Sequence, residues 1–148
     1  MRETFSVREE DMGELASKVV HLLAGFDTSK AKVLLLDGDL GAGKTTFTKE
    51  LAGTIGIERG HVNSPTFILK KEYKTSHPTF KKLVHVDAYR FSTPKEAKVL
   101  RLEDDLDEPE TIIAIEWPSK MKTPKADLHL LFTVVDDETR EVCVTYED

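Results

Sequence analysis

The sequence is poor in cysteine, asparagine and tryptophan, and it has no long apolar run. Cys143 is the only cysteine in 148 residues, which excludes an intramolecular disulfide and a cysteine-rich metal centre. That usage fits a reducing compartment, and Cys143, inside a strand-like run, reads as a buried inert thiol rather than a nucleophile. No apolar stretch approaches the roughly 20 residues that a membrane helix requires. The opening Met-Arg-Glu-Thr-Phe-Ser lacks the apolar core of a signal peptide, so a soluble cytoplasmic protein is expected. Basic charge is in the minority: 21 Lys and Arg against 27 Asp and Glu give a net charge of −6. Such a balance offers no global attraction to nucleic acid or to an anionic membrane. The length matches one domain, residues 1–148, able to bury roughly 70% of its unfolded surface. Neither a repeat nor a low-complexity linker suggests a second.

What is present is organised around residues 33–47. Val33 to Leu36 is a short apolar run that reads as a buried strand. Gly38-Asp39-Leu40-Gly41-Ala42-Gly43-Lys44-Thr45-Thr46 follows, and a helical pattern begins at Gly43. Gly38, Gly43, Lys44 and Thr45 spell the phosphate-binding loop in its strand–loop–helix setting. Glycines let consecutive backbone N–H groups turn inward and approach phosphate oxygens without interference from a Cβ. The helix starting there adds the positive end of its dipole. Lys44 would place a point charge on the β- and γ-phosphates, and the Thr45 hydroxyl would ligate Mg²⁺.

Upstream, Thr4 to Val7 reads as a short strand. Ser6 and Glu9 have capping-box spacing, and Leu15, Val19, Leu22 and Leu23 continue at helical spacing to a stop at Gly25. The helix after the loop carries Phe47, Leu51 and Ile55 on one face and ends near Gly56. Two strand-like runs, Phe67–Tyr73 and Phe80–Val86, flank a polar turn and predict an antiparallel hairpin. An insertion of that kind implies a mixed sheet. The hairpin holds Lys70, Lys71, Lys74, Lys81 and Lys82 against Glu72 alone. Lysines that protect an edge strand from aggregation are the preferred reading; a basic surface for RNA or an acidic partner is the alternative.

Two strand ends deliver carboxylates, as an α/β sheet does at its ligand side. Asp87 follows His85-Val86 and would orient an attacking water, bind Mg²⁺ through water, or simply cap the next turn. Next to it, Arg90 would meet a phosphate or pair with an acid, and His85 reads as packed or hydrogen-bonded rather than catalytic. A helix is predicted from Ser92-Thr93-Pro94 into Leu106, and acidic residues 103–110 read as a solvated face. Thr111–Ile115 is then an apolar strand ending in Glu116, the physical content of a Walker B element. Glu in place of the usual Asp lengthens the reach by one methylene. Leu128–Val135 and Glu141–Tyr146 form a closing hairpin.

The blocks at 38–47, Val62-Asn63-Ser64-Pro65-Thr66-Phe67, His85-Val86-Asp87-Ala88-Tyr89-Arg90 and Ile115-Glu116-Trp117-Pro118 together resemble the TsaE family, formerly YjeE. These are small bacterial ATPases of tRNA threonylcarbamoyladenosine (t6A) biosynthesis. The resemblance runs over essentially the whole chain, and its four blocks are specific only in combination. It implies a three-layer α/β P-loop NTPase fold with a mixed central sheet and an antiparallel hairpin insertion. It also implies Mg²⁺-dependent ATP binding and weak hydrolysis, with Lys44 on the phosphates, Thr45 and Glu116 at Mg²⁺, and Asp87 needed for turnover. Ser64, Pro65 and Thr66 resemble a switch that senses the γ-phosphate, and Trp117 would report on the nucleotide site. The implied partners are TsaD and TsaB, which transfer the threonylcarbamoyl group to adenosine 37 of tRNAs reading ANN codons. The ATPase would reset that complex between turnovers rather than perform the transfer.

Two other classes are weighed against this one. A nucleoside or small-molecule kinase needs an acceptor pocket and an arginine-rich lid, for which 148 residues leave little room. A GTP-dependent switch needs an Asn-Lys-x-Asp motif, but the sole asparagine, Asn63, precedes Ser64. For the adenine, the unassigned polar segments point to Glu9 and Arg140. Glu9 offers an acceptor to the amino group, and its capping role is the competing reading.

Overall fold

The computed structural model describes residues 1–26, 29–57 and 70–146. Alternating and continuous apolar runs become seven strands of one sheet, ordered β1-β7-β6-β2-β5-β4-β3. They are β1 (Arg2–Arg8), β2 (Lys32–Gly38), β3 (Lys70–Lys74), β4 (Lys82–Asp87), β5 (Thr111–Glu116), β6 (Leu128–Val134) and β7 (Thr139–Thr145). At the centre β2 runs parallel to both β5 and β6, and β4 runs parallel to β5. The outer pairs β3–β4, β6–β7 and β1–β7 are antiparallel. The sheet is therefore mixed, as the hairpin pattern implied.

Helices lie on both faces. Against one face pack α1 (Met12–Ala24) and α2 (Lys44–Thr54), burying Leu15, Val19, Leu23, Phe47, Leu51 and Ile55 against Leu34, Leu36, Leu83 and Ile112. The opposite face packs Val33, Val84, Val86, Ile113 and Ile115 against Phe91, Leu100 and Leu102. Period-2 alternation along β2, β4 and β5 thus feeds two separate cores. The burial expected of Cys143 holds on β7, where Arg2 Nε donates to its Sγ at 3.0 Å.

Three local expectations change. The start of α1 is not capped from Ser6, because β1 stays paired with β7 as far as Arg8 opposite Thr139. Asp11 stands at the N-cap of α1 without a side-chain bond to that helix, and its carboxylate instead accepts the Arg8 N–H at 3.0 Å across a 3-10 turn, Glu9–Asp11. The helix expected from Ser92 to Leu106 is two pieces, a 3-10 segment Pro94–Leu100 and α3 (Leu102–Leu106), because Arg101 adopts φ 53°. The acidic run is not wholly solvated either. Asp105 is 3% exposed and receives Lys70 Nζ at 2.6 Å and Lys82 Nζ at 3.0 Å. Glu108 also meets Lys82 Nζ, at 2.6 Å. Lys70 and Lys82 are hence structural cations of the β3–β4 hairpin and not free edge lysines, whereas Lys74 and Lys81 are exposed.

This cluster makes a stability prediction. Burial pushes the Asp105 carboxyl up, but hydrogen bonds and charge from Lys70 and Lys82 outweigh it and hold its pKa below the ordinary value. Burial likewise opposes charge on Lys82, and the hydrogen bonds to Glu108 and Asp105 leave its pKa raised. A depressed acid stabilises fully above its unfolded pKa and loses that contribution as pH falls through the folded one; a raised base does so below its unfolded pKa and loses it on the alkaline side. Asp105→Asn removes the buried charge between two half-buried cations, leaving Lys82 with Glu108 and Lys70 with Glu72 and the Leu100 carbonyl. It should cost toward the low end of the roughly 3–5 kcal/mol seen for breaking buried pairs. Urea melts of both proteins across pH should show that gap constant near neutrality, closing below about pH 4 and shrinking above about pH 10.

Candidate phosphate-binding site

The three adjacent parallel strands β2, β5 and β4 end side by side, and each carries a carboxylate at that end: Asp37, Glu116 and Asp87. Register aligns Leu36 with Glu116 and Asp87 with Glu116. From Gly38 the chain loops into α2, with Gly43 in the N-cap position at φ 107°. Gly38 needs its glycine for two reasons: φ is 140°, and a Cβ there would lie 2.5 Å from the Phe132 carbonyl oxygen. Gly43, at φ 107°, takes a backbone conformation that a side chain would strain, and a Cβ there would also press on the Met12 methyl at 2.9 Å.

Lys44 is 5% exposed. Its ammonium donates to the Gly38 carbonyl and to the Asp39 carbonyl, the latter at 2.9 Å. On another side it lies 4.2 Å from the centre of the Trp117 ring, a cation–π contact. Burial pulls the Lys44 pKa below the ordinary lysine value, and the charges of Glu116, Asp37, Asp87 and Asp39 oppose that shift. Trp117 itself has φ 59°, a costly conformation for a bulky residue. Its N–H donates to Leu36 O at 3.2 Å, and its ring packs on Tyr89 with centroids 4.9 Å apart. The strained backbone turns the indole over the lysine.

Thr45, in the first turn of α2, donates from Oγ1 to Glu116 Oε1 at 3.2 Å. Glu116 is 2% exposed, and its second oxygen, Oε2, lies 2.6 Å from His85 Nε2. Asp87 Oδ1 accepts the Tyr89 N–H at 3.0 Å, closing the turn after β4. That is the capping geometry weighed for this residue, and it leaves the carboxylate at the strand end beside Glu116. Arg140, in β7, donates to Asp136 O at 2.7 Å and reaches Gly41 O of the loop at 3.4 Å. Glu9 is exposed in the turn before α1; Arg8, beside it, pairs with Glu138 at 3.3 Å. The two segments suggested for adenine thus adjoin one another, with Arg140 at the edge of the loop. Asp39, Leu40 and Gly41 form the exposed rim, and Ala42 is buried. Ser64, Pro65 and Thr66 lie outside the described residues.

Two participants were not singled out as site residues. Asp37 directly precedes Gly38 at the end of a buried strand, the same signal that drew attention to Asp87 and Glu116. His85, expected to be packed or hydrogen-bonded, is both: buried, with Glu116 as its partner.

The donor set suits a hard cation. Thr45 and Glu116 present neighbouring oxygens. Among the described residues no group of three or more His, Cys, Asp or Glu is arranged to hold a metal by itself. Mg²⁺ commonly takes one or two protein oxygens and completes its shell with phosphate and water, so these residues fit it.

Comparison with known proteins gives the family and the fold. The family profile described as Threonylcarbamoyl adenosine biosynthesis protein TsaE matches residues 6–142. The tRNA threonylcarbamoyladenosine biosynthesis protein TsaE of Aquifex aeolicus is 34% identical over 143 residues, covering 96% of this chain and 94% of its own. The proteins of the same name from Haemophilus influenzae and Bacillus subtilis are 35% and 36% identical. They cover 87% and 89% of this chain, and 80% of their own length in each case. The crystal structure of Bacillus subtilis YdiB superposes with a TM-score of 0.69 at 28% identity, over 99% of this chain and 86% of that one. Among the described residues no helix is long and apolar enough to cross a membrane. The fold is that of a P-loop NTPase, and the chain belongs to the TsaE family of t6A biosynthesis proteins.

Proposed function

We propose that this protein is a Mg²⁺-dependent ATP-binding protein with weak ATPase activity. It would serve t6A formation at adenosine 37 of tRNAs reading ANN codons, acting with a TsaD–TsaB complex. The observation that carries the reading is the convergence of Lys44 and Thr45, at the start of α2, with Glu116 at the end of β5.

Each residue has a definable task. The loop backbone and the α2 N-terminus present N–H dipoles to the triphosphate. Lys44 exchanges the carbonyls of Gly38 and Asp39 for phosphate oxygens, which repay its desolvation better because they carry charge. Thr45 and Glu116 would hold Mg²⁺, which supplies neutralisation of charge on the phosphates. Asp87, beside Glu116, accepts a hydrogen bond from the attacking water and orients it. Trp117, stacked over Lys44, would sense any movement of that ammonium. ATP and ADP states would then be told apart by the partner, since a nucleotide shifts an assembly equilibrium only through differential affinity.

Lys44→Ala should weaken ATP binding by about 10–100-fold, the equivalent of a charge-assisted contact worth about 1.5–3 kcal/mol. Unchanged affinity by calorimetry, with an intact fold, would remove the assignment. Asp87→Ala should bind ATP normally and lose turnover, as expected for a contact made in the transition state. Wild-type phosphate release from that variant would leave Asp87 as a turn cap only.

Association is tested by pull-down with TsaD and TsaB in ATP, in ADP and without nucleotide. Capture should be strongest with ATP, and equal capture in all three would contradict the switch. Charge reversal at Lys71, Lys74 and Lys81, which spares the paired Lys70 and Lys82, should weaken capture if the hairpin surface docks. Undiminished capture would leave those lysines as edge protection.

A further inference from the structure

The carboxylate at the end of β5 is a glutamate, with one more rotatable bond than the aspartate usual at that place. Such a group occupies one position only if something holds its outer oxygen. Glu116 is held on both sides: Thr45 Oγ1 lies 3.2 Å from Oε1, and His85 Nε2 lies 2.6 Å from Oε2. His85 is completely buried. It alternates with Val84 and Val86, so it points to the α2 side of the sheet along with Leu83 and Asp87. Its register partner on β5 is Ala114, two residues before Glu116 on the same face, and the small methyl leaves room for an imidazole.

A carboxylate only accepts, so Nε2 is the donor in this contact. Among the described residues Nδ1 is buried with no hydrogen-bond partner. A buried polar atom left unmatched is a cost that a plain apolar core residue would avoid. Among the described residues, the hydrogen bond this ring makes is the one from Nε2 to Glu116.

Resting on the ATP and Mg²⁺ reading above, we propose that His85 is a positioning residue for nucleotide-bound Mg²⁺. It fixes Glu116 through Oε2 so that Oε1 stays turned toward Thr45. It touches neither metal nor phosphate, and acts as the outer partner that orients a metal-ligating carboxylate.

The test uses Trp117 fluorescence to follow ATP binding while Mg²⁺ is titrated into wild type, His85→Leu and His85→Gln, with folding checked by circular dichroism. His85→Leu should raise the half-saturating Mg²⁺ concentration by about 10-fold or more, the usual effect of losing such a partner. Metal-free ATP binding should stay unchanged. His85→Gln offers an amide N–H at similar reach and should recover most of the loss. Equal impairment by Leu and Gln would reduce His85 to core packing, and unchanged Mg²⁺ dependence in His85→Leu would overturn the proposal outright. If the wild type binds ATP with no dependence on Mg²⁺, the functional reading fails instead. Should His85→Leu not fold, nitrogen NMR of the wild-type ring decides: a proton on Nε2 is expected, and an unprotonated Nε2 overturns the positioning bond.

Discussion

A lysine ammonium taken out of water has to be surrounded by oxygen or π-density on every side, and Lys44 shows what that requires here. Two loop carbonyls and the Trp117 ring enclose it, while carboxylates at the ends of β2, β4 and β5 set the field around it. No local segment could supply this set. It depends on three parallel strands ending at the same level, on Gly38 and Gly43 taking positive φ, and on Trp117 taking a strained conformation to aim its ring. Strain and buried charge gathered at one end of a sheet are features of a site shaped for a ligand.

The two sheet halves have different tasks. The parallel centre carries Asp37, Asp87 and Glu116 at its strand ends, and the loop after β2 brings Lys44 and Thr45 at the start of α2 beside them. The β3–β4 hairpin is tied down from outside by Asp105 and Glu108, which grip Lys70 and Lys82; Lys70 Nζ also donates to Leu100 O at 2.8 Å. That clamp fixes the hairpin against the 3-10 segment and α3, and through β4 it steadies both His85 and Asp87. An acidic helix on one side of the molecule thereby supports residues at the phosphate end of the sheet.

Much of this was legible in the sequence, for reasons that differ from residue to residue. The phosphate loop is contiguous, so its spelling carries its geometry. Alternation along 83–87 and the apolar run 111–115 placed Asp87 and Glu116 at strand ends without knowledge of the partner strands. Features set by distant partners were not legible. Ser6 lost its capping role because β7 extends β1 to Arg8. The helix around 94–106 breaks at Arg101, whose positive φ nothing local announces. Asp105 looked like one more solvated acid until the hairpin lysines folded onto it, and His85 gave no sign of which group it would face.

The most direct measurement is a crystal structure with Mg²⁺ and a non-hydrolysable ATP analogue. The account predicts that Lys44 Nζ leaves the Gly38 and Asp39 carbonyls for phosphate oxygens, and that Mg²⁺ lies between Thr45 Oγ1 and Glu116. A triphosphate bound away from residues 38–46, or a Lys44 ammonium still seated on its loop carbonyls beside bound nucleotide, would contradict it.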